Sequence, residues 1–216
     1  MKILIICYYY APRIDPRSLR WTALSEEFVR RGHEVHVIAG NVSGQPSVEE
    51  RNGVHVHRVG YGWLEEIMRQ VKARPSSEHA AGRNTKTTSC DQKKYRVNFL
   101  GTFKKSVRRI LKSVWRTIYW PDGSCPWIFP AVQCAHRLMK RNRFFDVLMT
   151  VSHPFSGHVA GLIVHHGVPG LRWLADNGDP FYFLEESSVN NFRLWRKLNY
   201  WAESRVIKAA HAFSVT

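Results

Sequence analysis

The first 40 residues alternate between short apolar runs and an amphipathic segment. The apolar run Ile3–Cys7 ends in an aromatic and proline-rich turn, Tyr8–Pro16, and a second apolar run covers Val35–Ala39. Between these runs, apolar side chains recur at helical spacing, at Leu19, Ala23, Leu24, Phe28 and Val29. This order predicts a strand, a loop, a helix and a strand, which together form the first unit of a parallel α/β sheet.

The rest of the chain repeats this alternation of strand and helix patterns. Further strands are predicted at Val54–Val59, 146–151, 171–175 and 213–216, and further helices at 63–72, 103–119, 128–140, 156–166 and 192–210. Residues 40–53 are rich in turn formers, and residues 73–98 are polar with little periodicity, which predicts a mobile loop. With right-handed crossovers, the pattern predicts one α/β domain over 1–216, a Rossmann-like open parallel sheet with flanking helices.

Composition adds an expectation about partners and compartment. The chain has 32 Lys and Arg against 17 Asp and Glu, a formal net charge of +15 that favours an anionic partner. Its four cysteines show no CxxC spacing, which favours a reducing, cytoplasmic compartment. Since the chain lacks an apolar run of about 18 residues, we expect any membrane contact to be peripheral, on the inner face.

The predicted helix at 103–119 has one apolar stripe and a strongly basic remainder. Two interpretations stay open: an ordinary core-facing helix with a solvated charged face, or an interfacial helix with Trp115, Tyr119 and Trp120 at headgroup depth. The membrane-surface candidates are Lys104, Lys105, Arg108, Arg109, Lys112 and Trp115. Nucleic acid is the third alternative, and it is not expected because no helix-turn-helix, zinc-finger or RNA-recognition pattern is present.

Polar clusters follow three of the predicted strands. The loop Tyr9–Arg20 carries three arginines and Asp15, Ser152-His153-Pro154 follows the strand at 146–151, and Asp176-Asn177-Gly178-Asp179 follows the strand at 171–175. Each cluster alone is a weak signal, since a histidine beside a proline and the run Asp-Asn-Gly-Asp are both also typical of turns. Because open parallel sheets place their sites at the carboxyl ends of strands, we expect the three clusters to share one edge.

Several common sites are absent from the sequence. Neither GxGxxG nor GxxxxGK[ST] occurs after the first strand, so neither nucleotide-binding fingerprint is present. The run His33-Glu34-Val35-His36 lacks the spacing of a zinc-protease helix, and Cys125, Cys134 and His136 do not form a four-ligand pattern. We therefore predict no metal and no resident cofactor.

An ordered set of segments resembles the N-terminal domain of GT4-type retaining glycosyltransferases with the GT-B fold. The segments are MKILII-x-YYYAP, Arg20-Trp21, RRGHEVHVI at 30–38, PDG at 121–123 with Trp127, FDVLMTVSHPFSGHVAGL at 145–162 and LADNGDPF at 174–181. The resemblance implies a chain whose partner half, a donor-binding Rossmann-like domain, is absent from these 216 residues. It also implies sugar transfer from a nucleotide-sugar co-substrate with retention of configuration.

The resemblance assigns roles to residues at the strand ends. His153 and Asp179 are implied as catalytic, and Asp15, Arg17, Arg20 and Asp176 as acceptor-binding. Arg13 is implied to contact the donor's phosphates. The first loop departs from many relatives because it contains no glycine, so the arginines have to replace backbone amides there.

Two functions from different classes follow. The first is an acceptor-binding domain in polysaccharide or glycolipid assembly, which is incomplete alone or works with a separate donor-binding chain on a sugar or glycolipid acceptor. The alternative is a non-catalytic module that keeps the fold and binds a membrane surface or a glycan.

Overall fold

The computed structural model describes residues 1–60, 114–115, 117–142, 145–182 and 189–215. The regular elements of this part follow in chain order: β1 (Lys2–Ile6), α1 (Pro16–Arg30), β2 (Glu34–Gly40), β3 (Val48–Arg51), β4 (Val54–Val59), α2 (Ile128–Asn142), β5 (Val147–Val151), α3 (Ser156–Gly167), β6 (Arg172–Asn177), α4 (Phe192–Ala209) and β7 (Ala212–Val215). The strands form a seven-stranded sheet in the order β3-β4-β2-β1-β5-β6-β7. All neighbouring pairs are parallel except β3 with β4. The predicted fold class, an α/β domain with helices flanking a mostly parallel sheet, is confirmed.

The two faces of the sheet carry different helices, and the alternation of β1 shows why. Ile3 and Ile5 point to one face, where they pack in a cluster with Trp21 of α1. Leu4 and Ile6 point to the other face, where the core includes residues of α2, α3 and α4. Since successive strand residues face opposite sides, β1 is apolar from Ile3 to Ile6 and these four residues are buried on both faces.

The start of α1 is fixed by residues of the first loop. The Asp15 carboxylate accepts a hydrogen bond from the Ser18 amide at 3.0 Å, and Pro16 occupies the first helical turn. A carboxylate cap and a proline at this point are typical helix-start signals. The cap and the proline fix where α1 begins, and so they fix the positions of Arg17 and Arg20 in its first turns.

Helix α3 lies unusually close to β5. A Cβ added at Gly161 would be 2.3 Å from Cγ2 of Thr150, so only glycine fits there without a shift. The same strand residue accepts a hydrogen bond from the Trp173 indole at 2.9 Å, and its hydroxyl lies 2.7 Å from Nδ1 of His158. At the start of α3, a Cβ added at Gly157 would lie 2.7 Å from the carbonyl oxygen of Val151, so the first turn of the helix packs against the end of β5.

One element was not predicted. Residues 40–53 were expected to be turns, but β3 lies within them and pairs antiparallel with β4. Its sequence, VEER, is mostly polar and lies at the edge of the sheet, so it lacks the apolar pattern by which strands are recognised.

Some predictions fall outside the described residues. These are the helix at 63–72, the loop at 73–98 and residues 103–113 and 116 of the basic helix; residues 114, 115, 117 and 118 are helical. Among the described helices, none is both long enough and apolar enough to cross a membrane.

Candidate functional site

The three polar clusters lie together at the carboxyl edge of the sheet. The first follows β1 and continues into α1, and the second follows β5. The third begins within β6, which extends to Asn177 rather than ending at residue 175 as predicted, and it continues to Asp179. Contacts between residues far apart in sequence join them, beginning with Arg17 of α1 and Asp179 after β6. The structure therefore brings together residues that the strand-end argument placed at one edge.

Arg17 and Asp179 form a partly exposed ion pair at this edge. Nη2 of Arg17 donates to Oδ2 of Asp179 at 2.6 Å, and the two side chains are 25% and 50% exposed. The backbone of Gly178 supports the guanidinium, since a Cβ there would lie 2.3 Å from Nη2 of Arg17. Nη1 of Arg17 is buried and has no hydrogen-bond partner among the described residues. The part of Arg17 that reaches solvent is thus the 25% of its side chain that is exposed beside Asp179.

Arg20 and Asp176 form a second pair deeper in the protein. Nη2 and Nη1 of Arg20 lie 3.2 and 3.4 Å from the two carboxylate oxygens of Asp176. The same carboxylate accepts from Nε1 of Trp21 at 3.0 Å and from the Ser214 hydroxyl at 2.8 Å. Asp176 is only 2% exposed, so its visible role is to orient Arg20. That Asp176 itself contacts an acceptor stays a prediction.

His153 lies half-buried after β5, between charged groups of both signs. Burial lowers the pKa of its imidazole, the Arg17 guanidinium lowers that pKa further, and the carboxylates of Asp179 and Asp122 act in the opposite direction. A lowered pKa favours the neutral ring near pH 7, which has one nitrogen free to accept a proton. The site therefore contains a base close to the Arg17–Asp179 pair.

Asp122 is a site residue that no strand-end argument could find. Its buried carboxylate accepts hydrogen bonds from the Ser124 amide, the Ser156 amide and the Ser156 hydroxyl, each at 2.8 Å. Burial raises the pKa of Asp122, although these hydrogen bonds counteract that effect. Ser156 is the first residue of α3, so Asp122 both caps this helix and lies near His153. The PDG turn at 121–123 was its only sequence signal.

Arg13 is held by the aromatic residues of the first loop. Its guanidinium carbon lies 5.6 and 5.1 Å from the ring centres of Tyr8 and Tyr9, and Nη2 donates weakly to the Asn41 carbonyl at 3.4 Å. Arg13 makes no ion pair with any residue that the structure describes. Its charge is thus uncompensated there, unlike the charges of Arg17 and Arg20. Asp15, by contrast, uses its carboxylate as the cap of α1.

Of the predicted membrane-surface residues, only Trp115 is described. Lys104, Lys105, Arg108, Arg109 and Lys112 lie outside the described residues. Trp115 is half-buried and its indole nitrogen is fully buried. Tyr119 and Trp120, also expected at headgroup depth, donate instead to the Val189 carbonyl at 2.6 Å and to Oδ1 of Asn199 at 3.0 Å. The polar ends of these two aromatic residues therefore point into the protein.

The comparisons with known proteins bear on the fold. No protein-family model matches the chain, and no curated protein sequence matches it. Among solved structures, it is similar to sucrose-phosphate synthase from Thermosynechococcus elongatus, with a TM-score of 0.60 and 10% sequence identity. The similarity covers 98% of this chain and 41% of that chain, so this chain spans less than half the length of its neighbour. At 10% sequence identity the similarity concerns the fold alone, which resembles the GT-B fold of glycosyltransferases.

Proposed function

We propose that the chain is the acceptor-binding domain of a GT4-type retaining glycosyltransferase in polysaccharide or glycolipid assembly. The sugar would come from a nucleotide-sugar held by a donor-binding domain or a separate donor-binding chain. The observation that carries the proposal is the arrangement of Arg17, Asp179 and His153 at the carboxyl edge of the sheet. The glycosyltransferase-like fold supports it.

The pairing of charges at this edge favours a sugar hydroxyl as the ligand. Arg17 and Arg20 are already paired with carboxylates, so most of their charge is compensated before any ligand arrives. The partly exposed guanidinium of Arg17 and the half-exposed carboxylate of Asp179 offer both a donor and an acceptor to a hydroxyl group. Sugar acceptors present such groups in neighbouring pairs.

His153 provides the proton chemistry of the proposal. A neutral imidazole beside an acceptor hydroxyl can accept its proton as that oxygen bonds to the donor sugar. Burial and, after it, the nearby Arg17 charge lower the pKa of His153 and favour the neutral ring in the free site, and the carboxylates of Asp179 and Asp122 stabilise the ring once it is protonated. These opposing effects suit a group that gains a proton during the reaction.

Arg13 is the best candidate in this domain for a phosphate contact. Its uncompensated charge at the first loop could stabilise the diphosphate that leaves the donor. This assignment also accounts for a loop that has no glycine, because a side chain then replaces the backbone amides.

The proposal is tested by saturation-transfer NMR with the methyl glycosides of glucose, galactose, mannose and N-acetylglucosamine. We expect at least one to bind the purified chain, and Arg17→Gln and Asp179→Asn each to weaken that binding at least tenfold. His166→Gln is the control, since His166 is exposed on α3, outside the three clusters. The proposal would be overturned if none of the four glycosides binds, or if the Arg17→Gln and Asp179→Asn variants bind as tightly as the wild type.

A cytoplasmic location, peripheral on the inner face of the membrane, completes the proposal. It rests on the cysteine pattern and the charge of +15. It also fits a glycolipid acceptor, whose head group would have to reach the edge of the sheet.

A further inference from the structure

The outer face of α4 exposes large apolar side chains. Leu194, Tyr200, Trp201 and Ile207 are 54%, 59%, 48% and 50% exposed. Single exposed apolar residues are common on protein surfaces, but a cluster on one helix face usually marks a surface that contacts something else. We call these residues, with the cations described next, the α4 face.

The α4 face is also strongly basic. Five cations are exposed on this helix: Arg193, Arg196, Lys197, Arg205 and Lys208. The only acidic residue of α4, Glu203, is buried, and its carboxylate accepts the amides of Phe181 and Tyr182 at 2.8 and 3.0 Å. Glu203 therefore adds no negative charge to the outer face.

The opposite side of α4 fixes this orientation. Asn199, Ala202 and Val206 are buried there, and Asn199 accepts hydrogen bonds from the Trp120 indole and the Asn190 amide, both at 3.0 Å. Rotating the helix to bury the α4 face would break these contacts. The exposed aromatic and basic side chains are thus held outward by the packing of the helix itself.

We propose that the α4 face binds the surface of an anionic lipid bilayer. Lysines and arginines attract acidic headgroups, and Trp and Tyr side chains are suited to the headgroup region because they combine an apolar ring with a polar tip. Leu194 and Ile207 favour a bilayer over nucleic acid, since aliphatic side chains gain from contact with acyl chains. This inference rests on the peripheral membrane location in the proposed function and names the helix that makes the contact. The binding needs no sugar transfer, so vesicle binding can fail while glycoside binding holds, and the reverse.

The path of the chain relates the α4 face to the candidate site. Strand β6 ends at the site edge, and β7 runs parallel to β6, so α4 must begin at that edge and run back along the sheet. The first turn of α4 therefore lies on the same side of the domain as Arg17 and Asp179. A bilayer under the α4 face would place the site edge close to the membrane surface.

The test is cosedimentation of the purified chain with vesicles of phosphatidylcholine, alone or with 30 mol% phosphatidylglycerol (~0.3 mole fraction, enough for a clearly negative surface potential). We expect at least tenfold tighter binding to the anionic vesicles. Lys197→Glu with Lys208→Glu should weaken that binding at least tenfold. The matched control is Arg137→Glu with Lys140→Glu, the same charge change at two exposed positions of α2, which should change binding less than twofold.

A second variant separates insertion of side chains from simple charge attraction. Trp201→Ala with Ile207→Ala keeps every charge, and we expect it to weaken binding at least threefold and to reduce the quenching of tryptophan fluorescence by brominated lipid. Circular dichroism checks that each variant is folded. Three results would overturn the proposal: equal binding to both vesicle types, equal losses in the α4 and α2 charge variants, or unchanged binding in the Trp201 and Ile207 variant. A fourth result would replace the bilayer by nucleic acid as the partner: the chain binds a single-stranded oligonucleotide tightly but does not bind vesicles, and only the α4 charge variant loses the oligonucleotide.

Discussion

Replacing Asp176 by asparagine tests the inner ion pair of the site most directly. The substitution preserves size and shape but removes the negative charge and turns one acceptor atom into a donor. Around this carboxylate lie the Arg20 guanidinium, the Trp21 indole and the Ser214 hydroxyl. The Ser214 hydroxyl can reverse and accept a hydrogen bond, whereas the indole and the guanidinium can only donate.

The magnitude follows from this geometry. The asparagine amide fits best beside Ser214, and there it confronts Nη2 of Arg20, which loses its acceptor at 3.2 Å. A hydrogen bond to a charged partner contributes roughly 1.5–3 kcal/mol, and breaking one member of a buried pair costs roughly 3–5 kcal/mol. Because Arg20 reaches solvent with about a third of its side chain, we expect the lower part of that range, about 3 kcal/mol.

Urea unfolding followed by circular dichroism measures the effect. With a slope of about 2–3 kcal/mol per molar urea, the midpoint of Asp176→Asn should fall by about 1 M. Asp179→Asn is the matched control, since Asp179 also pairs with an arginine of α1 but is half exposed. Its cost should stay below about 1 kcal/mol. A midpoint for Asp176→Asn within about 0.3 M of the wild type, or equal losses in the two variants, would refute the reasoning.

Three further outcomes are expected from urea unfolding. Gly161→Ala should lower the free energy of unfolding by about 1–3 kcal/mol because its Cβ would lie 2.3 Å from Thr150. In the control Gly167→Ala the nearest side-chain atom is at 3.3 Å, so its stability should be within about 0.5 kcal/mol of the wild type. A larger loss in Gly167→Ala than in Gly161→Ala would contradict the packing of α3 on β5. Burial lowers the pKa of His57 from 6.5 to about 4, so the folded state favours the neutral ring. The free energy of unfolding should therefore fall as the pH drops from 6.5 towards 4, and His57→Gln should make this fall shallower. A variant with the same pH dependence as the wild type between pH 7 and 4.5 would contradict this role of His57. The Asp122 carboxylate accepts three hydrogen bonds through two oxygens, and an amide has only one oxygen, so Asp122→Asn should cost about 2 kcal/mol. An unaltered urea midpoint would show that the cap of α3 contributes little to stability.

The edge that holds the site could be predicted because it depends on local patterns and one general rule. The apolar runs of β1, β2, β5 and β6 identify parallel strands, and polar residues that follow such strands lie at a shared edge. This rule placed Arg17 near Asp179 although 162 positions separate them.

What could not be predicted depends on packing between distant segments. Asp176 and Asp179 look alike in the sequence, and only Trp21 and Ser214 make one a buried support and the other a half-exposed partner. Asp122 lies in a turn that follows no strand, so its approach to α3 depends on how residues 121–127 pack. The exposed α4 face likewise appears only once the buried side of that helix is known.

The hydrogen bond from Ser214 to Asp176 links the candidate site to β7, one of the two edge strands of the sheet that the described residues form. Edge strands are among the parts of a fold that open locally at the lowest free energy. Each opening of β7 withdraws one donor from the carboxylate that also holds Arg20, since Ser214 and Nη2 of Arg20 share the same oxygen, Oδ1. The position of Arg20 is therefore coupled to the fraying of the sheet edge, and a partner that pairs with β7 would make this arginine more rigid without touching it.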